Sequence, residues 1–168
     1  MTLKRLSVSM VGTGLMARLH SLAYTALPFF APSGVPQIRK ALIADIDPEL
    51  AEAGARRYGF DEWTTDWQEV VQRTDIDIVD IVTPNHLHHA IAVAAIDEGK
   101  HVFCEKPLAL NRAEAEEMYR AALEAGVVHG VGFNYRKTPA IAFARQLVQS
   151  GKLGRIHRFR TFQLFLLS

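Results

Sequence analysis

A glycine-rich turn near the start of the chain joins a strand-like run directly to a helix-like stretch. Leu6–Val11 reads LSVSMV and Gly12–Ala17 reads GTGLMA, which is the pattern G-x-G-x-x-A. Gly12 permits a tight turn, Gly14 lets the backbone approach a diphosphate, and Ala17 lets the helix pack closely on the strand. The helix N-terminus adds unpaired N–H groups and a partial positive charge. The turn therefore predicts a dinucleotide site, and a plain connection between strand and helix is the alternative.

Beyond this turn, strand-like and helix-like segments alternate through nearly the whole sequence. The strand-like segments are residues 6–11, 38–46, 60–64, 76–82, 101–105, 127–133 and 156–167, and the helix-like segments are residues 15–27, 48–58, 66–72, 86–98, 111–125 and 138–150. Repeated β–α units with apolar strands predict a parallel sheet that helices cover on both faces. The predicted fold class is therefore α/β, a Rossmann-type doubly wound parallel sheet.

Two segments carry further expectations about how elements end. Pro28 is expected to end the first helix, because proline cannot donate the next backbone hydrogen bond. The segment 156–167 is long and apolar, and nothing follows it in the sequence to cover it. An uncovered strand edge is a liability. We therefore expect this segment to be the truncated start of a second α/β domain.

Composition narrows the class of protein. The 168 residues suit one domain, or one domain and the beginning of another. A hydrophobic content of 49% and a charged content of 22% are typical of globular proteins. A net charge of +1 with scattered basic residues argues against nucleic-acid and membrane partners. The single cysteine, Cys104, is expected in the core and fits a reducing compartment, so we expect a cytoplasmic protein.

An acidic residue ends the second predicted strand, where a ribose-binding carboxylate belongs. Asp45 follows the run ALIA. A carboxylate there accepts hydrogen bonds from ribose hydroxyls and repels a 2′-phosphate, which favours NAD over NADP. Asp47 competes for this role, but it precedes Pro48 and is better interpreted as a helix N-cap.

Polar residues also follow the fourth predicted strand. Thr83, Pro84 and Asn85 are placed at the carboxyl edge of the sheet, where ligands of open α/β sheets bind. These residues would hold the ribose and phosphate on the nicotinamide side. The same three residues also make a good turn and helix N-cap, which is the alternative.

Three histidines open the next helix-like segment. His86, His88 and His89 lie at i, i+2 and i+3, and side chains with this spacing on a helix do not converge on one point. We therefore predict no metal site. We expect one of the three to face the cofactor, and His88 is our candidate.

A lysine follows the fifth predicted strand, again at the ligand edge. Glu105, Lys106 and Pro107 form this segment. A lysine there can polarise a carbonyl, or hold a substrate hydroxyl while hydride leaves its carbon. Taken alone, a surface lysine at a strand end is the favoured interpretation.

Together these segments resemble the glucose–fructose oxidoreductase/inositol dehydrogenase/rhizopine catabolism (Gfo/Idh/MocA) family. The resemblance runs in family order across most of the chain, and the Glu-Lys-Pro segment with its flanks is its most specific part. The matching segments are Gly12–Ala17, Thr83–His86, Gly99–Ala109, Gly132–Arg136 and Gly151–Gly154.

The resemblance implies an N-terminal Rossmann domain and a C-terminal α/β domain, which together oxidise or reduce sugars, inositols or related polyols with a nicotinamide cofactor. It implies that Lys106 is catalytic and contacts the substrate hydroxyl. It implies that Asp45 holds the adenosine ribose and that Asn85 and Glu105 lie near the nicotinamide half. The cofactor-binding residues that we predict are Gly12, Thr13, Gly14, Leu15, Met16, Ala17, Asp45, Thr83, Pro84, Asn85, His88, Glu105, Lys106 and Arg136.

The sequence departs from the family pattern in one respect. The family's general base, a histidine preceded by an aspartate, lies in the second domain, and neither His129 nor His157 occupies that place. We predict that residues 1–136 form the dinucleotide-binding domain and that residues 137–168 form a linker helix and the first strand of the second domain. The isolated chain is expected to bind cofactor, and its turnover is an open question.

Two other interpretations differ in class. The first is a non-catalytic NAD(H)-binding module. The second, a redox-sensing regulator, is set aside because the sequence has neither a separate helix-turn-helix segment nor a basic surface. A homo-oligomer is expected for the full-length protein.

Overall fold

A six-stranded parallel sheet is the centre of the computed structural model, which describes residues 5–30 and 34–161. The strands are β1 (Arg5–Val11), β2 (Gln37–Ala44), β3 (Glu62–Thr64), β4 (Ile78–Ile81), β5 (His101–Cys104) and β6 (His129–Val131). Their order in the sheet is β3-β2-β1-β4-β5-β6, and all neighbours are parallel. The predicted Rossmann-type fold class is therefore confirmed.

Within residues 5–30 and 34–161, six α-helices connect and follow these strands: α1 (Leu15–Phe30), α2 (Pro48–Tyr58), α3 (Trp67–Gln72), α4 (His88–Asp97), α5 (Arg112–Glu124) and α6 (Pro139–Gln149). Side chains at the N-termini of α2 and α5 cap them, because Asp47 accepts from the N–H of Glu49 at 2.9 Å and Asn111 accepts from that of Glu114 at 3.0 Å. The predicted N-cap role of Asp47 is confirmed. Among the described residues, no helix combines the length and apolarity needed to cross a bilayer.

Alternate side chains of each strand enter two separate apolar clusters. In β1, Met10 packs with Ala17 of α1 and Ile43 of β2, whereas Val11 packs with the larger cluster beneath α3, α4 and α5. Neighbouring residues of a strand point to opposite faces, so each cluster occupies one face of the sheet. Cys104 is 1% exposed in the larger cluster, which confirms its predicted place in the core.

Several predicted boundaries are corrected by the structure. Helix α1 continues through Pro28 to Phe30, because the fixed φ of proline suits a helix and one missing hydrogen bond in the last turn does not end it. The predicted strand 76–82 shortens to β4, since strand limits depend on pairing with neighbours and not on the apolar run itself. The predicted helix 86–98 begins with a 3₁₀ turn, Asn85–Leu87, and becomes α-helical at His88.

The chain divides into two compact units, with the boundary between Gly132 and Phe133. The second unit contains a 3₁₀ turn, Asn134–Lys137, and α6, in which no residue is buried. The predicted strand 156–167 is absent over residues 156–161, because the described part of this unit holds no strand to pair with it. Residues 162–167 lie outside the described residues. The predicted domain boundary after residue 136 stays a prediction.

Candidate dinucleotide-binding site

The glycine-rich turn leaves β1 at the point where the strand order reverses between β1 and β4. Gly12 has φ +106°, which L side chains rarely adopt, and a Cβ there would lie 2.9 Å from the backbone oxygen of Val82. Its N–H donates to the oxygen of Ala44 at 2.8 Å. Gly12 is therefore required by its backbone angle and by the close approach of β4. Open α/β sheets bind ligands at this reversal, beyond the carboxyl ends of the strands.

The first turn of α1 faces open space at Gly14. A Cβ on Gly14 would meet nothing within 4 Å, and α1 begins at the next residue, Leu15. The first N–H groups of a helix have no partner within it. Met16 is half-buried and Ala17 is fully buried against Met10. Ala17 therefore contributes by packing α1 closely on β1. The exposed backbone around Gly14 is the part of the turn that is open to a diphosphate.

Asp45 ties the end of β2 to the glycine-rich turn. One carboxylate oxygen accepts from the N–H of Thr13 at 3.1 Å and from the Thr13 hydroxyl. The other oxygen accepts from the N–H of Asp47 at 3.2 Å. The Tyr58 hydroxyl donates to the backbone oxygen of Thr13 at 3.0 Å. The sequence predicted Asp45 as a ribose ligand, but the pattern gave no signal for this second role in shaping the turn.

A cavity of about 530 Å³ opens beside this pair. Its lining comes from the turn, from the loops after β2 and β4, and from α3; it includes Gly12, Asp45, Trp67, Thr83 and Leu87. The Thr83 hydroxyl is buried and has no hydrogen-bond partner among the described residues. Mostly apolar walls with a few convergent polar groups are typical of small-molecule and cofactor sites. These polar groups and apolar walls therefore suit a bound dinucleotide.

The predicted histidine, His88, does not face this cavity with a free nitrogen. Its side chain is fully buried, with Nδ1 3.0 Å from the backbone oxygen of Pro107 and Nε2 2.9 Å from that of Thr83. His88 thus links the loops after β4 and β5, and its predicted contact with the cofactor stays a prediction. His86, in contrast, is exposed and lines the cavity, whereas His89 pairs with Glu117.

The other predicted residues of the ligand edge follow β4 and β5. Pro84 and Asn85 are exposed after β4, and Lys106 is exposed after β5. The Lys106–Pro107 peptide bond is cis. The N–H of Lys106 donates to the Glu105 carboxylate at 3.0 Å, and Glu105 itself is 6% exposed. The sheet topology therefore places Asn85 and Lys106 at the same edge as the glycine-rich turn.

A buried polar cluster that sequence reasoning missed lies under this edge. His20 of α1 places Nδ1 2.9 Å from the carboxylate of Asp80 and Nε2 3.3 Å from that of Glu105. The Tyr24 hydroxyl donates to Asp80 at 2.8 Å, and Asp80 is fully buried. Burial, followed by the charge of Asp80, raises the pKa of Tyr24. A carboxylate inside the apolar run IVDIV was the available signal, because buried charges need partners.

Arg136 lies in the second compact unit, in the 3₁₀ turn Asn134–Lys137, and is exposed. Its predicted contact with the cofactor stays a prediction.

The strand order, the glycine-rich turn and the acid after β2 define a Rossmann dinucleotide-binding protein. Residues 6–133 match the profile of GFO_IDH_MocA, described as an oxidoreductase family with an NAD-binding Rossmann fold. The chain belongs to this family, and the predicted membership is confirmed. NAD is accordingly the cofactor class of this domain.

Two curated relatives illustrate the match. The chain is 48% identical over 159 residues to levoglucosan dehydrogenase of Pseudarthrobacter phenanthrenivorans, covering 94% of this chain and 40% of that protein. It is 34% identical over 130 residues to scyllo-inositol 2-dehydrogenase (NAD(+)) of Bacillus subtilis, covering 77% of this chain and 38% of that protein. The chain therefore spans about 40% of the length of these relatives.

Solved structures give the same result. Levoglucosan dehydrogenase in complex with NADH superposes with a TM-score of 0.86 at 46% identity, covering 90% of this chain and 41% of that one. The complex of that enzyme with NADH and L-sorbose superposes with a TM-score of 0.85 at 47% identity, covering 89% of this chain and 40% of that one.

Proposed function

We propose that this chain is the cofactor-binding part of an NAD-dependent dehydrogenase that acts on a hydroxyl group of a sugar, an inositol or a related polyol. The observation that carries the proposal is the pair of hydrogen bonds that Thr13 of the glycine-rich turn donates to the Asp45 carboxylate. It fixes a carboxylate beside the open first turn of α1 and the adjoining cavity. The printed activities of the relatives, on levoglucosan and scyllo-inositol, supply the substrate class.

In this proposal the chain holds the cofactor through three surfaces. The N–H groups of Gly14, Leu15 and Met16, at the positive end of α1, receive the diphosphate, and Gly12 shapes the turn that presents them. Asp45 receives the adenosine ribose and disfavours a 2′-phosphate by charge repulsion. The loops after β4 and β5 receive the nicotinamide half through Thr83, Asn85 and Glu105.

Lys106 is the residue of this chain that we assign to chemistry. Bound NAD⁺ supplies the acceptor for the hydride that leaves the substrate carbon. The exposed ammonium group of Lys106 donates a hydrogen bond to the substrate oxygen and stabilises negative charge there as its proton leaves. The base that takes this proton is assigned to the part of the relatives that this chain does not span.

Replacement of Lys106 tests this function. In the longest natural form of the protein that contains this chain, Lys106→Met is expected to lower kcat about 10³-fold, as loss of a proton-handling group does. The NADH Kd should change less than about twofold, since methionine keeps the length of the side chain. NAD⁺ reduction is followed by absorbance with levoglucosan and scyllo-inositol as probes.

Lys152→Met is the matched control, because Lys152 is also exposed but lies in the second unit. Unchanged turnover in Lys106→Met would remove Lys106 from the mechanism. Tight NADH binding by the unmutated protein without turnover of any polyol would instead favour the non-catalytic module.

A further inference from the structure

The imidazole of His20 in α1 lies between two buried carboxylates, one in β4 and one directly after β5. His20 lies 2.9 Å from Asp80 in β4 and 3.3 Å from Glu105 after β5. The side chains of His20, Asp80 and Glu105 are 13%, 0% and 8% exposed, so water screens these contacts poorly. The cluster adjoins Lys106, whose backbone N–H donates to the Glu105 carboxylate at 3.0 Å.

A second proton on the ring would satisfy both carboxylates. A neutral imidazole has one N–H and one lone pair, so it can donate to only one carboxylate and would turn its lone pair towards the other. The imidazolium donates to both. Burial alone would lower the pKa of His20, but hydrogen bonding and attraction to Asp80 and then to Glu105 outweigh burial and raise it.

The other groups around the ring leave Glu105 dependent on His20. Tyr24 donates to Asp80 and not to Glu105, and the ring of Phe103 lies 5.4 Å from that of His20 between centroids. Cys104, the remaining titratable neighbour, has its pKa raised to about 12 by burial and then by the charges of Asp80 and Glu105, so it stays a neutral thiol. Among the described residues, the Glu105 carboxylate accepts from the N–H of Lys106 at 3.0 Å and lies 3.3 Å from Nε2 of His20.

Gly132 shows that the position of Glu105 is built into the fold. A Cβ on Gly132 would collide with the Glu105 carboxylate, so the chain keeps a glycine where that carboxylate lies. The N–H of Gly132 donates to the oxygen of Cys104 at 2.8 Å, which holds the backbone of the two segments together.

We propose that His20 is a positioning residue: its doubly protonated ring holds the Glu105 carboxylate in place beside Lys106 at the nicotinamide end of the site. When the ring loses a proton it keeps its bond to Asp80 and releases Glu105. The hydrogen bond from His20 to Glu105 is therefore fully formed below the pKa of His20 and is lost as the pH rises through that pKa. The inference rests on the proposed function in one respect, namely that Glu105 faces the nicotinamide half of NADH.

The first test follows the ring itself in the 168-residue chain. NMR titration of the imidazole resonances should show His20 titrating above the ordinary histidine pKa. Glu105→Gln should lower that pKa, because the amide removes one of the two negative charges. A ring that titrates in the ordinary range, or that is indifferent to Glu105→Gln, would overturn the proposal without reference to any cofactor.

The second test compares NADH with ADP-ribose, which shares the adenosine and diphosphate but lacks nicotinamide. The ratio of their affinities should fall about tenfold as the pH rises through the measured pKa of His20, as expected for loss of one charge-assisted hydrogen bond. His20→Gln should give a ratio that is low and independent of pH. His89→Gln is the matched control, because His89 also pairs with a glutamate, Glu117, but on the surface.

The outcomes separate the two proposals. A ratio that stays constant with pH in the unmutated chain, or that still changes in His20→Gln, would overturn the positioning role while leaving the dinucleotide site intact. Failure of both NADH and ADP-ribose to bind would overturn the proposed function, and the NMR titration would then decide alone whether His20 holds Glu105.

Discussion

Replacement of Gly12 by alanine tests whether this glycine is needed for the fold itself, apart from any role in ligand binding. Gly12 has φ +106°, and the new Cβ would lie 2.9 Å from the backbone oxygen and 3.0 Å from the backbone carbon of Val82. Backbone atoms of Val82, directly after β4, cannot move aside as a flexible side chain can. The substitution therefore acts on the folded chain itself, whether or not a ligand binds.

The structure sets the size of this effect. A non-glycine residue held at such a backbone angle costs about 1–3 kcal/mol, and a forced backbone shift costs about the same again. Gly12→Ala should thus lower the free energy of unfolding by about 3 kcal/mol. For a chain of this size, that corresponds to a fall in Tm of about 6–12 °C.

Gly14→Ala is the matched control. Its Cβ meets no atom within 4 Å and its φ is not positive, so the free energy of unfolding should change by less than about 0.5 kcal/mol. The same Cβ projects into the space assigned to the diphosphate, and NADH affinity should fall at least about tenfold, or about 1.4 kcal/mol.

Thermal denaturation and fluorescence titration with NADH measure the two effects on one preparation. We expect Gly12→Ala to lower both the stability and the NADH affinity, and Gly14→Ala to lower the NADH affinity alone. Equal stability of the two variants would refute the steric argument at Val82, and full NADH affinity in Gly14→Ala would refute the place of the diphosphate.

Two further predictions concern Asp45 and Cys104. NADPH should bind the unmutated chain at least about tenfold more weakly than NADH. Asp45→Asn keeps an acceptor for Thr13 but removes the charge, so it should narrow the difference in affinity between NADH and NADPH. Tighter binding of NADPH than of NADH to the unmutated chain would contradict the role of Asp45. The buried Cys104 thiol, with its pKa raised to about 12, should react with a disulfide reagent at pH 8 only as fast as the chain unfolds, and rapid labelling of the folded chain would contradict its burial.

The architecture was predictable because each apolar strand is followed by a helix and a turn of recognisable chemistry. The limits of the strands were not, since β4 and β6 end where their pairing ends and not where apolar residues stop. Helix α1 shows the opposite error: Pro28 predicted its end, but a proline in the last turn costs only one hydrogen bond.

The site was predictable wherever a residue acts through its place at the end of a strand. Asp45 and Lys106 lie at the predicted edge for that reason. The burial of His88 was not predictable, because it depends on the loop at Pro107, which lies 19 residues away along the chain. The bridge from His20 to Asp80 and Glu105 joins three elements that no local pattern connects, although the charged residue inside an apolar strand indicated that a partner was needed.

A crystal structure of the chain soaked with NADH would show where the dinucleotide binds. We predict that the diphosphate lies against the backbone between Gly12 and Met16, with the adenosine ribose within hydrogen-bond distance of Asp45. A dinucleotide bound elsewhere, or a turn closed by its own side chains in saturating NADH, would contradict the account.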